Sequence, residues 1–389
     1  MRYLLTLCPG MLAVLLFLAP LRAAESIEIR EYAAPTQKPI PIALAGFTGE
    51  VASVLAFDLF VVGFTTVAEE GAQYTLRGSN SGKVEGRLTD NISKAVKFAK
   101  AYTGGSLRSQ AHALADDVVE AITGKKGIAR SKIAFKITSG RTSEIHVADY
   151  DGFGASAMTR DGSIVAAPCW VPGQRRLFYV TYKFGNADIV WHDLGTGARE
   201  LFVRYTGSNI TPAVSPDGRR VAMILSKGGS PDLYVADSSG GNLRQLTRTR
   251  EDESSPCWSP DGQTLCFATR LDGRRVLATI PAAGGTLRRL PTTGVANPTE
   301  PDWSPDGKFI AFTAQMRGFE ICVIPATGGE AKLYVSGEDP VWAANSRTLM
   351  FTRRGTGGRR TLSLLDVPTK QSKDLPHTTG VSSQPAWAR

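Results

Sequence analysis

Apolar runs of four to six residues, separated by polar turns, dominate the chain from residue 133 to its end. The runs at 220–225, 264–268 and 309–312 are rich in β-branched and aromatic residues, and each is followed by a polar turn and a second run of the same kind. This length and composition predict β-strands. A Gly-Gly turn then precedes a short last run, so each unit is predicted to contain four strands.

A turn motif marks the units. Ser-Pro-Asp-Gly begins at Ser215, Ser259 and Ser304, so successive copies lie 44 and 45 residues apart. Pro presets φ, Asp bonds to local backbone and Gly accepts the left-handed conformation, which together close a short hairpin. Weaker copies extend the series, and we place one anchor residue per unit at positions 170, 214, 258, 303, 342 and 387. A four-stranded repeat of this period predicts a β-propeller.

The two ends of the repeat region are complementary. Six anchors enclose five complete units, which leaves strands without a following anchor at 133–167 and an anchor without following strands at 381–389. Joined, they form a sixth blade that closes the ring and removes its exposed sheet edges. An open repeat array is the alternative. The predicted fold class is an α/β N-terminal domain followed by an all-β six-bladed β-propeller closed by the C-terminal strand.

The first 24 residues have the zones of a secretory signal peptide. Arg2 precedes an apolar stretch and then a segment rich in small residues, and we expect cleavage near Ala23 or Ala24. A retained anchor helix is the rival interpretation, but the uninterrupted apolar run is only about half of a bilayer span. We therefore predict an exported protein with no membrane insertion after cleavage.

Residues 25–127 are predicted to form a small α/β domain, and residues 128–389 the propeller. Apolar positions recur at helical spacing from 106 to 123 and end at Gly124, a helix stop. Strands are expected around 40–44, 83–88 and 94–101. The apolar stretch 51–67 contains Asp58, which favours a buried helix or strand over a membrane crossing.

Composition and motifs narrow the function. The formal net charge is +9, but the basic residues are scattered, and the densest group lacks the interleaved aromatics of a nucleic-acid platform: Arg353, Arg354, Arg359 and Arg360. We therefore predict no nucleic-acid partner. The stretch 78–82 places Asn80 where a nucleophile elbow needs Ser, and the four histidines are dispersed. No other catalytic motif was found, so we predict a non-enzymatic protein.

Four cysteines would remain after signal cleavage: Cys169, Cys257, Cys266 and Cys322. A chain of this length with repeating apolar strands does not need a disulfide framework. Cys257 and Cys266 flank one hairpin but do not fall in register by simple counting, so we do not expect a bridge between them. The sequence contains no CxxC or Cys/His metal pattern.

The Trp-Ser-Pro-Asp-Gly repeats, the segment 143–152, the stretch 114–127 and the terminal Gln-Pro-Ala-Trp resemble the TolB family of the periplasmic Tol-Pal system. The resemblance covers the signal, the small domain and all six blades. It implies a binding scaffold for a Pal-like peptidoglycan-associated lipoprotein and a TolA-like inner-membrane protein, with roles in outer-membrane integrity and cell division. The TolA-like contact would lie in the mature N-terminus: Glu25, Ser26, Ile27, Glu28, Ile29 and Arg30. The region 47–71 looks shorter than in the family.

Propeller geometry suggests a partner site. The segment before each anchor runs from the outer strand of the previous blade toward the central channel, so its side chains should rim one mouth. These positions are Asn209, Thr211, Glu253, Ser255, Thr299, Glu300, Glu338, Asp339, Ser383 and Gln384. By resemblance, this mouth would receive the Pal-like lipoprotein.

Two questions about this mouth stay open. Solvated loops are the alternative to a partner site, and no cofactor is required, although four carboxylates around a narrow opening would suit calcium.

Two other functions of the protein also remain: an accessory to an envelope peptidase or glycan-acting enzyme, and an exported binding module of an unrelated pathway.

Overall fold

The computed structural model describes residues 32–389, which form one compact unit. The predicted signal peptide and the predicted TolA-like contact, Glu25 to Arg30, lie outside the described residues. Within residues 32–389, no helix combines the length and the apolar character that crossing a membrane requires.

The first part of this unit is a five-stranded sheet with two helices. Its strands are β1 Ile40–Ala45, β2 Phe64–Thr66, β3 Tyr74–Ser79, β4 Val84–Asp90 and β5 Val96–Tyr102, in the order β2-β1-β3-β4-β5. Helix α1 spans Gly49–Phe60, and helix α2 spans Leu107–Thr123. The Ser106 side chain accepts a hydrogen bond from the Ser109 amide, and Gly124 ends α2 in the left-handed conformation. The predicted strands and helix are present.

The rest of the unit is the predicted six-bladed propeller, in which six four-stranded sheets are found among the described residues. The first strands are β6 Lys132–Ser139, β7 Thr142–Asp149 and β8 Ser156–Ala157. Blade 1 contains β9 Val165–Trp170, β10 Arg176–Thr181, β11 Asp188–Asp193 and β12 Arg199–Val203. Blade 2 contains β13 Asn209–Val214, β14 Arg220–Leu225, β15 Asp232–Asp237 and β16 Arg244–Gln245. Blade 3 contains β17 Ser254–Trp258, β18 Thr264–Leu271, β19 Arg274–Pro281 and β20 Arg288–Leu290.

Blade 4 is flanked by a small parallel pair, β21 Thr292–Thr293 and β25 Gly329–Glu330. Its own strands are β22 Pro298–Trp303, β23 Phe309–Gln315, β24 Phe319–Pro325 and β26 Lys332–Ser336. Blade 5 contains β27 Glu338–Trp342, β28 Thr348–Arg354, β29 Arg360–Asp366 and β30 Ser372–Asp374. The last strand, β31 Val381–Trp387, completes the series.

Blade 6 is built from both ends of the propeller sequence, as predicted. Strand β31 pairs antiparallel with β6, with Val381 opposite Thr138 and Trp387 opposite Ile133, and the sheet order is β31-β6-β7-β8. One detail differs from the prediction. Residues 165–167 belong to β9, the innermost strand of blade 1, because the anchor segment of each blade is itself a strand.

The expected register of the two cysteines in blade 3 was wrong. The Ser259 amide donates to the Thr264 carbonyl at 2.8 Å and closes the β17–β18 hairpin, which puts Cys257 directly opposite Cys266. The two thiols are free. Simple counting failed because the length of the hairpin loop sets the register.

The α/β part and the propeller share a core. One hydrophobic cluster runs from α1 and α2 into blades 5 and 6 and includes Leu55, Leu114, Phe135 and Trp387. Buried polar groups cross the same junction: Asp58 in α1 accepts from the Tyr150 hydroxyl at 2.5 Å and bonds to His112 Nδ1 at 2.7 Å. Burial raises the pKa of Asp58 against the opposing effect of His112. The α/β part is therefore attached to the closing blade of the ring.

Candidate functional site: the central cavity

Each innermost strand carries one residue with positive φ directly before a proline. The six residues have φ between 48° and 54° and occupy equivalent positions, one per blade: Ala167, Thr211, Ser255, Glu300, Asp339 and Gln384. The pairing register shifts at each of these points, which is the mark of a β-bulge. Proline has no amide hydrogen, so the residue that follows each positive-φ residue has no N–H group that needs a partner in the ladder. The result is a ring of bulges around the propeller axis.

A cavity of about 630 Å³ lies inside this ring. All six left-handed residues line it, together with the six prolines that follow them and the prolines at positions 172, 216, 260 and 305. Trp170, Trp258, Trp303 and Trp387 add aromatic surface. The lining thus combines a rigid apolar wall with a few polar groups, which is the usual composition of a binding pocket.

Hydrogen bonds between blades organise half of the ring. The Asp339 amide donates to Glu300 Oε2 at 3.0 Å, the Gln384 amide donates to Asp339 Oδ2 at 3.2 Å, and the Ala167 amide donates to Gln384 Oε1 at 3.1 Å. In each case a side chain of one blade holds the bulge of the next. The carboxylates are further fixed by hydroxyls, since Thr313 donates to Glu300 at 2.7 Å and Thr352 donates to Asp339 at 3.0 Å.

The other half of the ring carries short side chains. Ala167 has no polar side-chain atom, and the buried Oγ1 of Thr211 makes no hydrogen bond. Here tryptophans link the blades instead: Trp258 Nε1 donates to the Ala213 carbonyl at 2.8 Å, and Trp170 Nε1 donates to the Ala386 carbonyl at 3.2 Å. The cavity is therefore polar and acidic along blades 4–6 and mostly apolar along blades 1–3.

Electrostatics strengthen this asymmetry. Burial, together with the neighbouring carboxylates of Glu300 and Glu338, raises the pKa of Asp339 to about 7. Burial also raises the pKa of Asp302, against the opposing charge of Arg389, whose guanidinium is paired with it. Near neutral pH, Asp339 is thus poised between a neutral and a charged form, and a ligand that brings positive charge favours the charged form.

The ten residues predicted for the channel mouth divide into two groups. The second member of each predicted pair lines the cavity: Thr211, Ser255, Glu300, Asp339 and Gln384. The first member does not line it: Asn209, Glu253, Thr299, Glu338 and Ser383. Asn209 is fully buried and donates to the Ala187 and Tyr205 carbonyls, both at 2.9 Å.

Two of the residues that do not line the cavity, Glu253 and Glu338, are buried carboxylates with partners in their own blades. Glu253 accepts from the hydroxyls of Thr249 at 2.8 Å and Thr269 at 3.0 Å, and burial raises its pKa to about 7. Glu338 is paired with Arg354 and Arg360. These contacts hold the two carboxylates inside the blades, which is why they do not reach the channel.

Within residues 32–389, no three His, Cys, Asp or Glu side chains are grouped so as to hold a metal ion, and this includes the carboxylates considered for calcium. Of the four carboxylates predicted around the opening, Glu253 and Glu338 are engaged within their blades. The prolines and tryptophans of the cavity wall and the Asp302–Arg389 pair were not predicted as site residues. The pattern X-Pro-X-Trp, which recurs in five of the six innermost strands, was the signal that would have located the prolines and the tryptophans.

Comparison with known families agrees with this architecture. The family model described as TolB beta propeller domain matches residues 119–389, which is more than half of the chain. The chain belongs to the TolB β-propeller family. The match begins within α2 and includes all six blades, so the central cavity is a feature of the matched part.

Curated relatives carry the name Tol-Pal system protein TolB. The protein from Actinobacillus succinogenes is 31% identical over 163 residues, covering 40% of this chain and 36% of the relative. The protein from Nitrosomonas europaea is 29% identical over 235 residues, covering 52% and 55%. The matches thus span about a third to a half of the length of these relatives. Their name assigns these relatives to the Tol-Pal system, and together with the propeller fold it agrees with the prediction of a non-enzymatic protein.

A solved structure extends the likeness beyond the matched segments. The crystal structure of TolB from Acinetobacter baumannii superposes with a TM-score of 0.82, covering 92% of this chain and 98% of the other at 22% identity. At this identity the likeness shows the fold alone. It confirms an α/β N-terminal part followed by a six-bladed propeller.

Proposed function

We propose that the chain is a non-enzymatic periplasmic scaffold of the Tol-Pal system, exported after removal of residues 1–24. Its central cavity would receive a segment of a Pal-like lipoprotein, and its mature N-terminus, residues 25–30, would engage a TolA-like inner-membrane protein. In this role it supports outer-membrane integrity and cell division. Family membership and the name of the relatives support the assignment to the system.

The central cavity carries the part of the proposal that concerns the lipoprotein. A volume of about 630 Å³ accommodates a short extended segment rather than a folded domain. Its wall is built from innermost strands that are held in place by blade-to-blade hydrogen bonds, so little ordering is needed on binding. Prolines and tryptophans offer apolar contact, while Glu300 and Asp339 offer acceptors on one side.

Ser255 is the best position for testing the cavity. It lines the apolar half, and no hydrogen bond of its side chain is present, so Ser255→Arg adds bulk and charge without breaking a contact. We expect this variant to weaken binding of the Pal-like lipoprotein by about 2 kcal/mol or more, as loss of a central contact does at interfaces. Isothermal titration calorimetry on the folded variant measures the change.

The matched control is Ser239→Arg. Ser239 is exposed in the β15–β16 turn of the neighbouring blade and is not part of the cavity, so the same change of size and charge should leave the affinity intact. Equal affinities of the two variants would move the partner site away from the cavity. If neither the wild-type protein nor the variants bind the lipoprotein at all, the assignment to the Tol-Pal system itself is wrong.

The N-terminal contact is tested separately. Deletion of residues 25–30 should abolish binding of the TolA-like protein while binding of the Pal-like lipoprotein persists, because the cavity is formed entirely by residues 167–389. Pull-down of each partner with the purified mature protein measures both. Retained binding of the TolA-like protein would place its contact elsewhere.

A further inference from the structure

Blade 3 holds a facing pair of cysteines. Cys257 in β17 lies opposite Cys266 in β18, and both thiols are free. The Ser259 amide bonds to the Thr264 carbonyl, and hydrogen-bonded pairs alternate along an antiparallel ladder, so Cys257 and Cys266 form a hydrogen-bonded pair. The Cα atoms of such pairs are about 5.5 Å apart. This lies inside the range of roughly 4.4–6.8 Å that disulfides span.

The pair is reachable from one side only. Cys266 is fully buried, whereas Cys257 is 7% exposed and lines the central cavity. Burial and the adjacent Cys266 thiol raise the pKa of Cys257, so its thiolate is scarce and reaction with an oxidant is slow. A small oxidant reaches Cys257 through the cavity. The buried Cys266 thiol then reacts with the oxidised Cys257 inside the blade.

The chain contains its own comparison. Cys169 lines the cavity at the equivalent position of blade 1, but it faces Phe178. Cys322 in β24 faces Phe312. Of the four free cysteines in the described part of the chain, Cys257 and Cys266 alone face each other across a ladder.

We propose that Cys257 and Cys266 form a reversible thiol–disulfide site in the cavity wall. The oxidant is a small-molecule disulfide that enters the cavity. The Cys257 thiolate attacks one of its sulfurs and releases the first thiol. Cys266 then loses its proton and attacks Cys257 Sγ, which releases the second thiol and completes the bond. Two protein thiols and one external disulfide become one protein disulfide and two external thiols.

Reversibility follows from the position in the ladder. The Cβ atoms of directly opposite residues are roughly 4.5–5.5 Å apart, with hydrogen-bonded pairs at the wide end. A relaxed disulfide places its Cβ atoms about 3.8 Å apart, so the bond must draw β17 and β18 together. Strained disulfides are more easily reduced than structural ones. The oxidised form pins β17 where it borders the cavity, and this site exists whether or not the proposed partner binds there.

Glutathione buffers of varied redox ratio test the site in the full mature protein. Samples started from the reduced folded state and from refolding under oxidised glutathione are equilibrated, quenched with acid, alkylated and cut with endoproteinase Asp-N. This protease cleaves before Asp261, between the two cysteines, so a bridge keeps the two peptides together in the mass spectrum until dithiothreitol is added.

We expect both starting points to converge on the same bridged fraction, which rises with the ratio of oxidised to reduced glutathione. Cys169→Ser should leave the bridged fraction unchanged, and Cys257→Ser should abolish it. Alkylated Cys257 and Cys266 from both starting points, even in excess oxidised glutathione, would overturn the proposal. A bridge that instead includes Cys169 or Cys322 would overturn it equally.

Discussion

Six residues next to prolines shape the cavity through their backbone conformation. A residue other than glycine at positive φ is costly, and most of all when it is β-branched, as Thr211 is at φ 48°. The same conformation turns the side chains of Glu300, Asp339 and Gln384 toward the next blade, where they accept backbone hydrogen bonds. Thr211 makes no compensating hydrogen bond, because its buried hydroxyl is unpaired.

Thr211→Asn should therefore stabilise the protein. Asparagine tolerates the left-handed region, and the lost hydroxyl made no hydrogen bond. We expect the free energy of unfolding to rise by about 1 kcal/mol, measured by urea denaturation. Thr313→Asn is the contrasting control: Thr313 is fully buried in β23 and donates to Glu300, so this change should destabilise. A loss of stability in Thr211→Asn would show that position 211 is not strained.

Asp339 should make stability depend on pH. Its pKa is about 7 in the folded protein and 3.8 without the fold, so it favours folding below pH 4 and loses that contribution as pH rises through 7. Asp339→Asn removes this titration. The unfolding free energy of the wild type relative to the variant should therefore fall by roughly 2–4 kcal/mol between pH 4 and pH 8.

Asp217 should make stability depend on pH in the opposite direction. The Ser215 hydroxyl and the Arg219 amide lower the pKa of Asp217, so the wild type should gain stability relative to Asp217→Asn as pH rises through about 4. Urea denaturation across the pH range compares the two variants. Parallel pH profiles for the Asp339 and Asp217 variants would contradict the assignment of a raised pKa to Asp339.

At the scale of elements, strand β31 closes the ring. It pairs with β6 on one side of blade 6, and its Trp387 lies in the cluster shared with the α/β part. The Trp387 indole also donates to Ser131 Oγ at 2.7 Å. Because β6 has β7 on its other side, removal of β31 exposes one long edge of blade 6.

Deletion of residues 381–389 should open the propeller. We expect the truncated protein to aggregate or to lose most of its cooperative unfolding transition, followed by tryptophan fluorescence and light scattering. Truncation after Trp387 is the matched control, since it removes the Arg389 contacts to Asp302 and Trp342 but keeps β31. Unchanged stability and solubility after the longer deletion would contradict closure by this strand.

At the scale of the whole molecule, the α/β part and the propeller are joined by a shared apolar core and by a polar network at the same junction. Tyr150, which follows β7, donates to Asp58 in α1 and stacks on Trp387 at 6.3 Å between ring centroids. Arg108 in α2 pairs with Asp151, and both side chains are buried. A chain held together in this way should unfold in one step.

Two probes can test this coupling, because the six tryptophans lie in the propeller and the two α-helices of the described chain lie before it. We expect fluorescence and helical circular dichroism to report coincident transitions. Tyr150→Phe leaves the buried Asp58 short of a donor and should lower the unfolding free energy by about 1–3 kcal/mol in both. Tyr334→Phe is the control: the Tyr334 hydroxyl makes no hydrogen bond, so this change should alter the unfolding free energy little. Separate transitions in the wild type would disprove the single unit.

The sequence by itself determined the blades. In blades 1–5 the strands pair within about 44 residues of each other, and the Ser-Pro-Asp-Gly turns and the anchor spacing can be recognised along the chain without any tertiary contact. The closure of blade 6 followed from the same spacing, because it left complementary pieces at the two ends of the repeat region. The same holds for α2, whose limits follow from Ser106 and Gly124. Family resemblance could be recognised from these features for the same reason.

The tertiary structure alone decided which side chains meet. Each bulge residue faces the cavity, whereas the residue one or two positions before it does not, so five of the ten predicted residues line the cavity and five do not. The bond between Asp58 and Tyr150 joins residues 92 positions apart. Such contacts depend on packing between elements, and no local pattern in the chain encodes them.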